Sequence, residues 1–335
     1  MTKLLFLAFA VLIGTAGSFT VVSAQNAPIV MKLGTATLND AQHEWMKRYA
    51  AMVNKDSKGR IDVQVYPASQ LGSIPREIEE TQFGAIQGWI GPPEFLLGVD
   101  PRYQVLGTPG LFTSWDQANR VLEDPQFSKA FLALGADKGL KGICLWLAGN
   151  NSLLTRKEVG SLEQMKDLKI RILAGASQET QMKLFGAVGV PMPLDQVLPG
   201  LQQGAIDGTL TNLMVASPLK YYAAAPYALQ IGQPYIGDIT VINKAWYDKL
   251  SPDLQKIVTE DAAKVGRDIF PFSKAFLETQ TKAWVAGGGK IVELSKADQT
   301  ALHARLASVG EDVYKGKPSL LAMYRQLKAT IARYP

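Results

Sequence analysis

Arg171 is the side chain in this sequence best placed to do chemistry. It stands in Asp167-Leu168-Lys169-Ile170-Arg171-Ile172-Leu173, where apolar and charged residues alternate. In a strand, that period of two puts Leu168, Ile170 and Ile172 on one face and Lys169 and Arg171 on the other. The small residues Ala174-Gly175-Ala176-Ser177 follow at once, so the strand ends by delivering a planar cation into open space. A guanidinium held that way suits one task, two parallel charge-assisted hydrogen bonds to a carboxylate. Taken alone, such an arginine more often sits in a surface salt bridge, and the surrounding segments have to decide.

Bond-making chemistry is scarce elsewhere. His43 precedes Glu44, but the HExxH zinc helix needs histidine where Lys47 stands. His303 lies in an Ala- and Leu-rich helical stretch and reads as a solvated or packed side chain. The single cysteine, Cys144, sits in Ile143-Cys144-Leu145-Trp146-Leu147 and reads as a small buried hydrophobe. There is no GxSxG elbow and no GxGxxG, and Lys290 after the glycine run is followed by Ile291, not the Ser or Thr of a phosphate loop. Glu77, Glu79 and Glu80 read as a solvated helix face. The inventory favours binding over turnover and calls for no metal and no cofactor.

Elements that could position Arg171 recur along the chain. Ile29 to Leu33 reads as a buried strand, Asn39 as the cap of a helix carrying Trp45, Met46, Tyr49, Met52 and Val53, and Ile61, Val63 and Val65 as a second strand. This is the strand-helix-strand unit of a parallel sheet. A helix near Glu77 to Phe83, a strand Ala85 to Ile90, one helical stretch Trp115 to Phe131 and a strand Ile143 to Leu147 follow. After Asn151 come the Arg171 strand, a helix through Leu198 and Leu201, a strand Ile206 to Leu210 and a strand Ile239 to Asn243. Ser251-Pro252 opens a helix that runs to about Val285, with a kink expected at Pro271. At 1.5 Å per residue it is about 50 Å long, enough to span two lobes.

With 335 residues, 47% hydrophobic and 19% charged, the composition describes a globular chain of two domains. A net charge of +5 with dispersed Lys and Arg offers no basic stripe for nucleic acid. Met1-Thr2-Lys3, the apolar run Leu4 to Val22 and the small residues Val22-Ser23-Ala24 read as a cleaved signal peptide over residues 1–24, so the mature chain is exported and not itself membrane-embedded.

Six segments in order then carry a family resemblance: Tyr66-Pro67 with Gln70-Leu71-Gly72; Gln82-Phe83-Gly84-Ala85-Ile86; Gly107-Thr108-Pro109-Gly110-Leu111-Phe112; Asp167-Leu168-Lys169-Ile170-Arg171; Gly189-Val190-Pro191-Met192-Pro193; and Leu201-Gln202-Gln203-Gly204-Ala205-Ile206-Asp207-Gly208. From Ile29 to the last helices the chain resembles the substrate-binding proteins of tripartite ATP-independent periplasmic (TRAP) transporters, of the dicarboxylate-binding type. The resemblance implies an α/β fold, a two-lobed clamshell in which each lobe is a mostly parallel sheet with flanking helices, joined by crossing strands and a long lobe-spanning helix. Lobe I would take residues 25–148 and about 237–275, lobe II residues 149–236 and about 276–335. It also implies a monomeric periplasmic receptor, with Arg171 on the ligand carboxylate and TRAP membrane permease subunits as transient partners.

Two departures bear on the ligand. A second arginine common in the family, twenty residues before the first, is here Asn151, and the usual Asp-Gly-Gln-Glu-Asn-Pro is here Asp207-Gly208-Thr209-Leu210-Thr211-Asn212. A second ligand carboxylate then becomes harder to satisfy. The reading that follows is a monocarboxylate of aromatic, hydroxy or oxo character, with Asn151, Thr211, Asn212, Thr35, Trp89, Pro92, Trp146 and Tyr235 joining Arg171 in the site. The alternatives are a C4-dicarboxylate receptor, or a periplasmic sensor or enzyme on the same clamshell, since fold does not fix function.

Overall fold

The computed structural model describes residues 27–335; the signal peptide read over residues 1–24 lies outside them. Among the described residues the strands are β1 (Ile29–Gly34), β2 (Ile61–Tyr66), β3 (Gly88–Gly91), β4 (Leu140–Asn150), β5 (Ser152–Thr155), β6 (Lys169–Ile172), β7 (Val188–Pro191), β8 (Gly208–Thr211), β9 (Tyr227–Gln230), β10 (Tyr235–Asn243) and β11 (Lys290–Glu293). They make a first sheet in the order β2-β1-β3-β10-β4 and a second in the order β11-β9-β5-β8-β6-β7. Both are mixed. In the first, β1 runs parallel to β2 and β3 while β10 is antiparallel to β3 and β4. In the second, β6 runs parallel to β7 and β8, and β5 is antiparallel to β8 and β9.

The chain passes between sheets where β4 gives way to β5 at Asn151, and where β9 gives way to β10. These crossings touch: the Asn151 N–H donates to the Pro234 carbonyl at 3.1 Å, and Tyr235 lies opposite Asn150 in the ladder. The helix Pro252–Ala286 continues through Pro271. It packs first on β4 and the helix Ala41–Asp56, then on the short helix Leu213–Ala216 and β11. It therefore ties the two sheets together, as its length required.

Local chemistry moved several boundaries. The helix Ala41–Asp56 is capped by Asp40, whose Oδ1 accepts from the His43 N–H at 3.0 Å. Asn39 cannot be the cap, because its φ of +53° is left-handed where a cap is extended. The stretch Trp115 to Phe131 is two helices, Trp115–Glu123 and Pro125–Leu132. Pro125 lacks an N–H and forces Asp124 out of the helical region, and Asp124 then caps the second helix. Gly84 ends its helix in the left-handed conformation, and Ala85 N–H folds back onto the Glu80 carbonyl, so β3 starts at Gly88 and not Ala85.

The helix Pro318–Ile331, grouped with lobe II by sequence, packs instead on the first-sheet helices Trp115–Glu123 and Pro125–Leu132. Beyond it, Arg333 pairs with Asp124 at 2.6 Å, and the Tyr334 hydroxyl donates to the same carboxylate at 3.0 Å. An anchor of this kind is set by chain ends meeting far apart in sequence, which local pattern does not report. The largest apolar cluster runs from Trp89 and Leu145 on the first sheet to Leu154 and Ala228 on the second. Two smaller clusters fill the outer faces.

Candidate functional site

β6 lies between β8 and β7, and its alternation does what the residue types demand. Ile170 and Ile172 go into the second lobe's core, and Arg171 goes to the other face. That face is not open. Arg171 is 1% exposed and forms part of the wall of a cavity between the two sheets. Its Nε donates to the Met192 carbonyl at 2.8 Å and its Nη1 reaches the Leu210 carbonyl at 3.4 Å, while Nη2 has no partner in the chain. The Phe95 ring, from the first lobe, lies 6.0 Å from the guanidinium carbon. No carboxylate pairs with Arg171, and burial pushes its pKa down to about 10. A buried cation held by carbonyl dipoles alone is the costly half of an ion pair.

The cavity is small, about 40 Å³. Thr211, Asn212, Trp89 and Pro92 line it with Arg171. Thr211 closes β8, and Asn212 caps the helix Leu213–Ala216 through Oδ1, which accepts from the Val215 N–H at 2.9 Å. The rest of the wall is largely apolar, with Ile74, Ile90 and Phe95 from the first lobe facing Leu173, Leu194, Met214 and Val215 from the second.

Four residues named from sequence are not in the lining. Asn151 is spent at the crossing between the sheets, buried, with both amide atoms unpartnered. Trp146 points to the opposite face of β4, into the cluster with Trp45, Cys144 and Ala262. Tyr235 packs edge-on against Phe112 at 5.7 Å. Thr35 stands one step behind the wall, its hydroxyl donating to Gln42 Oε1 at 2.6 Å. Cys144 is the buried hydrophobe expected, its thiol pushed up to about 12 by burial.

Sequence reasoning missed the polar wall opposite Arg171, made by Thr37, Asp40, Gln42 and Asp238. Thr35 donates to Gln42 Oε1 at 2.6 Å, which turns Gln42 Nε2 toward Asp238 Oδ1 at 3.2 Å, while the Thr37 hydroxyl donates to Asp40 Oδ1 at 2.8 Å. Asp238 Oδ2 has no partner. Burial pushes the Asp238 carboxyl well above the usual range, and the nearby Asp40 and Glu94 push the same way. Asp40 rises to about 6, since burial outweighs the hydrogen bonds from His43 N–H and the Thr37 hydroxyl. One signal was available: Asp238 is the lone carboxylate in Tyr235–Asn243, a strand buried at every position. An acid costs too much there unless it is used.

The arrangement is a narrow apolar slot with a cation on one wall and carboxyls on the other. It can orient a small acid by its carboxylate. Residues 34–317 match the family described as bacterial extracellular solute-binding protein, family 7. The chain is 28% identical over 228 residues to the 2,3-diketo-L-gulonate-binding periplasmic protein of Escherichia coli, covering 68% of this chain and 69% of that one. To the C4-dicarboxylate-binding periplasmic protein of Rhodobacter capsulatus it is 27% identical over 241 residues, covering 70% and 71%. Its fold superimposes on a TRAP periplasmic solute-binding protein of Desulfovibrio salexigens with bound orotic acid, with a TM-score of 0.86 at 20% identity, covering 91% of this chain and 99% of that one. The chain belongs to the family 7 bacterial extracellular solute-binding proteins, the solute receptors of TRAP transporters.

Proposed function

We propose that this protein is a periplasmic receptor that captures a small organic monocarboxylate between its lobes and delivers it, as a monomer, to a TRAP membrane permease. The observation that carries this reading is Arg171, a fully buried guanidinium with a free Nη2 and no anionic partner. Each hydrogen bond from such a group to a carboxylate contributes roughly 1.5–3 kcal/mol. Micromolar affinity needs about −8 kcal/mol, so the apolar walls and lobe closure supply the rest. Relatives support an acid ligand: they bind 2,3-diketo-L-gulonate and C4-dicarboxylates, and a sugar acid-binding protein of Advenella mimigardefordensis similar in fold was solved with galactonate.

One carboxylate is favoured over two by the charges in the wall. Arg171 is the one cation among the described lining residues, and Asp40 and Asp238 line the other lobe. A second ligand carboxylate would meet acids there without a base. Among the described residues no helix is long and apolar enough to cross a membrane, which agrees with a permease on a separate chain. Receptor action in place of catalysis is part of the same proposal, and it predicts recovery of the bound acid unchanged.

The test is mass spectrometry of small molecules released on denaturing the purified protein, then titration of the identified acid by tryptophan fluorescence. A released monocarboxylate that binds again supports the proposal. Release of malate or succinate, or tighter binding of those two than of any monocarboxylate, overturns the monocarboxylate assignment in favour of a C4-dicarboxylate receptor.

A further inference from the structure

The wall facing Arg171 contains a polar relay that ends in an atom with nothing to bond. Thr35 fixes the orientation of the Gln42 amide, and Gln42 Nε2 occupies Asp238 Oδ1. Asp238 Oδ2 is left buried, in a residue with no exposed surface, and the same residue lines the cavity. Asp40 accepts from the Thr37 hydroxyl at 2.8 Å and from the His43 N–H at 3.0 Å.

We propose that Asp238 is the specificity-determining residue of the cleft: its Oδ2 accepts a hydrogen bond from a hydroxyl or amine on the ligand, which is thereby a hydroxy- or amino-substituted monocarboxylate. The inference rests on the Arg171 reading above and adds the second contact point. The geometry carries it. A ligand without a donor leaves Oδ2 buried and unpaired, and a site built around such a group rejects analogues that cannot satisfy it. A ligand with a second carboxylate at this wall faces Asp238 and Asp40 together. The titratable groups around Asp238 are Asp40 and Glu94, both acidic, and each opposes its ionisation. With Oδ1 accepting from Gln42, the proton that burial favours sits on Oδ2 in the free protein and leaves when the ligand's donor takes Oδ2 as its acceptor, an amine offsetting the opposition by its charge and a hydroxyl by its hydrogen bond.

Two probe series test this by calorimetric titration: butanoate with 2-hydroxybutanoate, 4-hydroxybutanoate, 4-aminobutanoate and succinate, and benzoate with 3-hydroxybenzoate, 4-hydroxybenzoate, 4-aminobenzoate and terephthalate. In the wild type, the tightest hydroxy or amino member of a series is expected to bind roughly tenfold to a hundredfold more tightly than its unsubstituted and dicarboxylate members. Asp238→Asn keeps an oxygen for Gln42 but turns a donor toward the cavity, so it should lose that preference while still binding the unsubstituted acid. Asp238→Leu, which has no polar atom, should lose it too, and serves if the amide variant rearranges. Whichever of the hydroxy and amino arms is tighter identifies the donor.

The proposal is overturned if donor members bind no better than the unsubstituted acids, or if both variants keep the wild-type ranking. In either case Arg171→Ala separates the two claims: loss of all binding in that variant leaves the carboxylate clamp standing without the Asp238 contact. Wild-type protein that binds no member of either series contradicts both.

Discussion

Arg171 donates from Nε to the Met192 carbonyl at 2.8 Å and gives none of its donors to a carboxylate. Met192 lies just past β7, which pairs in parallel with β6, so the strand order itself aims the guanidinium. The Leu210 carbonyl in β8 steadies it from the other side. The fork is thus held in place before any ligand arrives, which lowers the ordering cost of binding. The Phe95 ring of the other lobe lies 6.0 Å from it across the cavity.

Closure of the lobes has its own contact. Gln104, in the first-lobe connection Pro101–Gly107, accepts at Oε1 from the Ala176 N–H at 3.3 Å. Ala176 opens the helix Ala176–Leu184, which has Gly175 at its cap and no side-chain cap of its own. One lobe therefore caps a helix of the other. Gln104→Ala should weaken ligand binding by about 1 kcal/mol, expressed as faster release because the closed state loses a contact. Stopped-flow fluorescence reads this directly; an unchanged release rate would show that the contact does not hold the lobes.

Stability should fall as pH rises, with Glu94 a main contributor. Burial lifts its carboxyl from 4.5 to about 8, and Oε2 has no partner. The folded protein keeps a proton there that the unfolded chain gives up. The associated stability is complete below about pH 4.5 and is lost progressively as pH rises toward about 8. Glu94→Gln removes the ionisation. It should be more stable than wild type by roughly 1–3 kcal/mol above pH 8, with the difference shrinking toward pH 4.5. Glu77, also lifted to about 8, keeps some slope in both proteins. Urea melts across that range check it, and a difference that does not vary with pH would remove Glu94 from the account.

Gly208 begins β8, the strand whose Leu210 carbonyl steadies Arg171. A Cβ there would overlap the Leu154 carbonyl of the neighbouring strand and press on Thr155 Cγ2 at 3.0 Å. Backbone cannot give way as a side chain can, so Gly208→Ala should cost about 1–3 kcal/mol. Thermal unfolding measures it. A melting temperature equal to wild type would mean that β5 and β8 are free to separate locally.

Much of this was legible from residue types. Alternation around Arg171 gave its face, and the crossing of the long helix between lobes followed from its length. The errors share a physical origin. Strand periodicity says that Trp146 and Trp89 each point to one face of a sheet, but which face meets the cleft is decided by the other lobe. Trp89 lies on that face and Trp146 on the reverse. Asn151 fell at a strand crossing, where its position in sequence carries no direction toward the cavity. Asp238 escaped because a strand read from Ile239 starts four residues late, which leaves the acid in a loop with Gly237 when β10 begins at Tyr235. Thr35 was one hydrogen bond short of the wall it supports. Contacts between distant segments, not local pattern, made each of these choices.

The most direct test of the central claim is calorimetric titration of the released acid into wild type, Arg171→Lys and Arg171→Ala, with circular dichroism confirming the fold of each. The account predicts a loss of about a hundredfold or more for alanine, and a smaller loss for lysine, which keeps the charge but not the planar fork. An alanine variant that folds and binds the acid with wild-type affinity would contradict it.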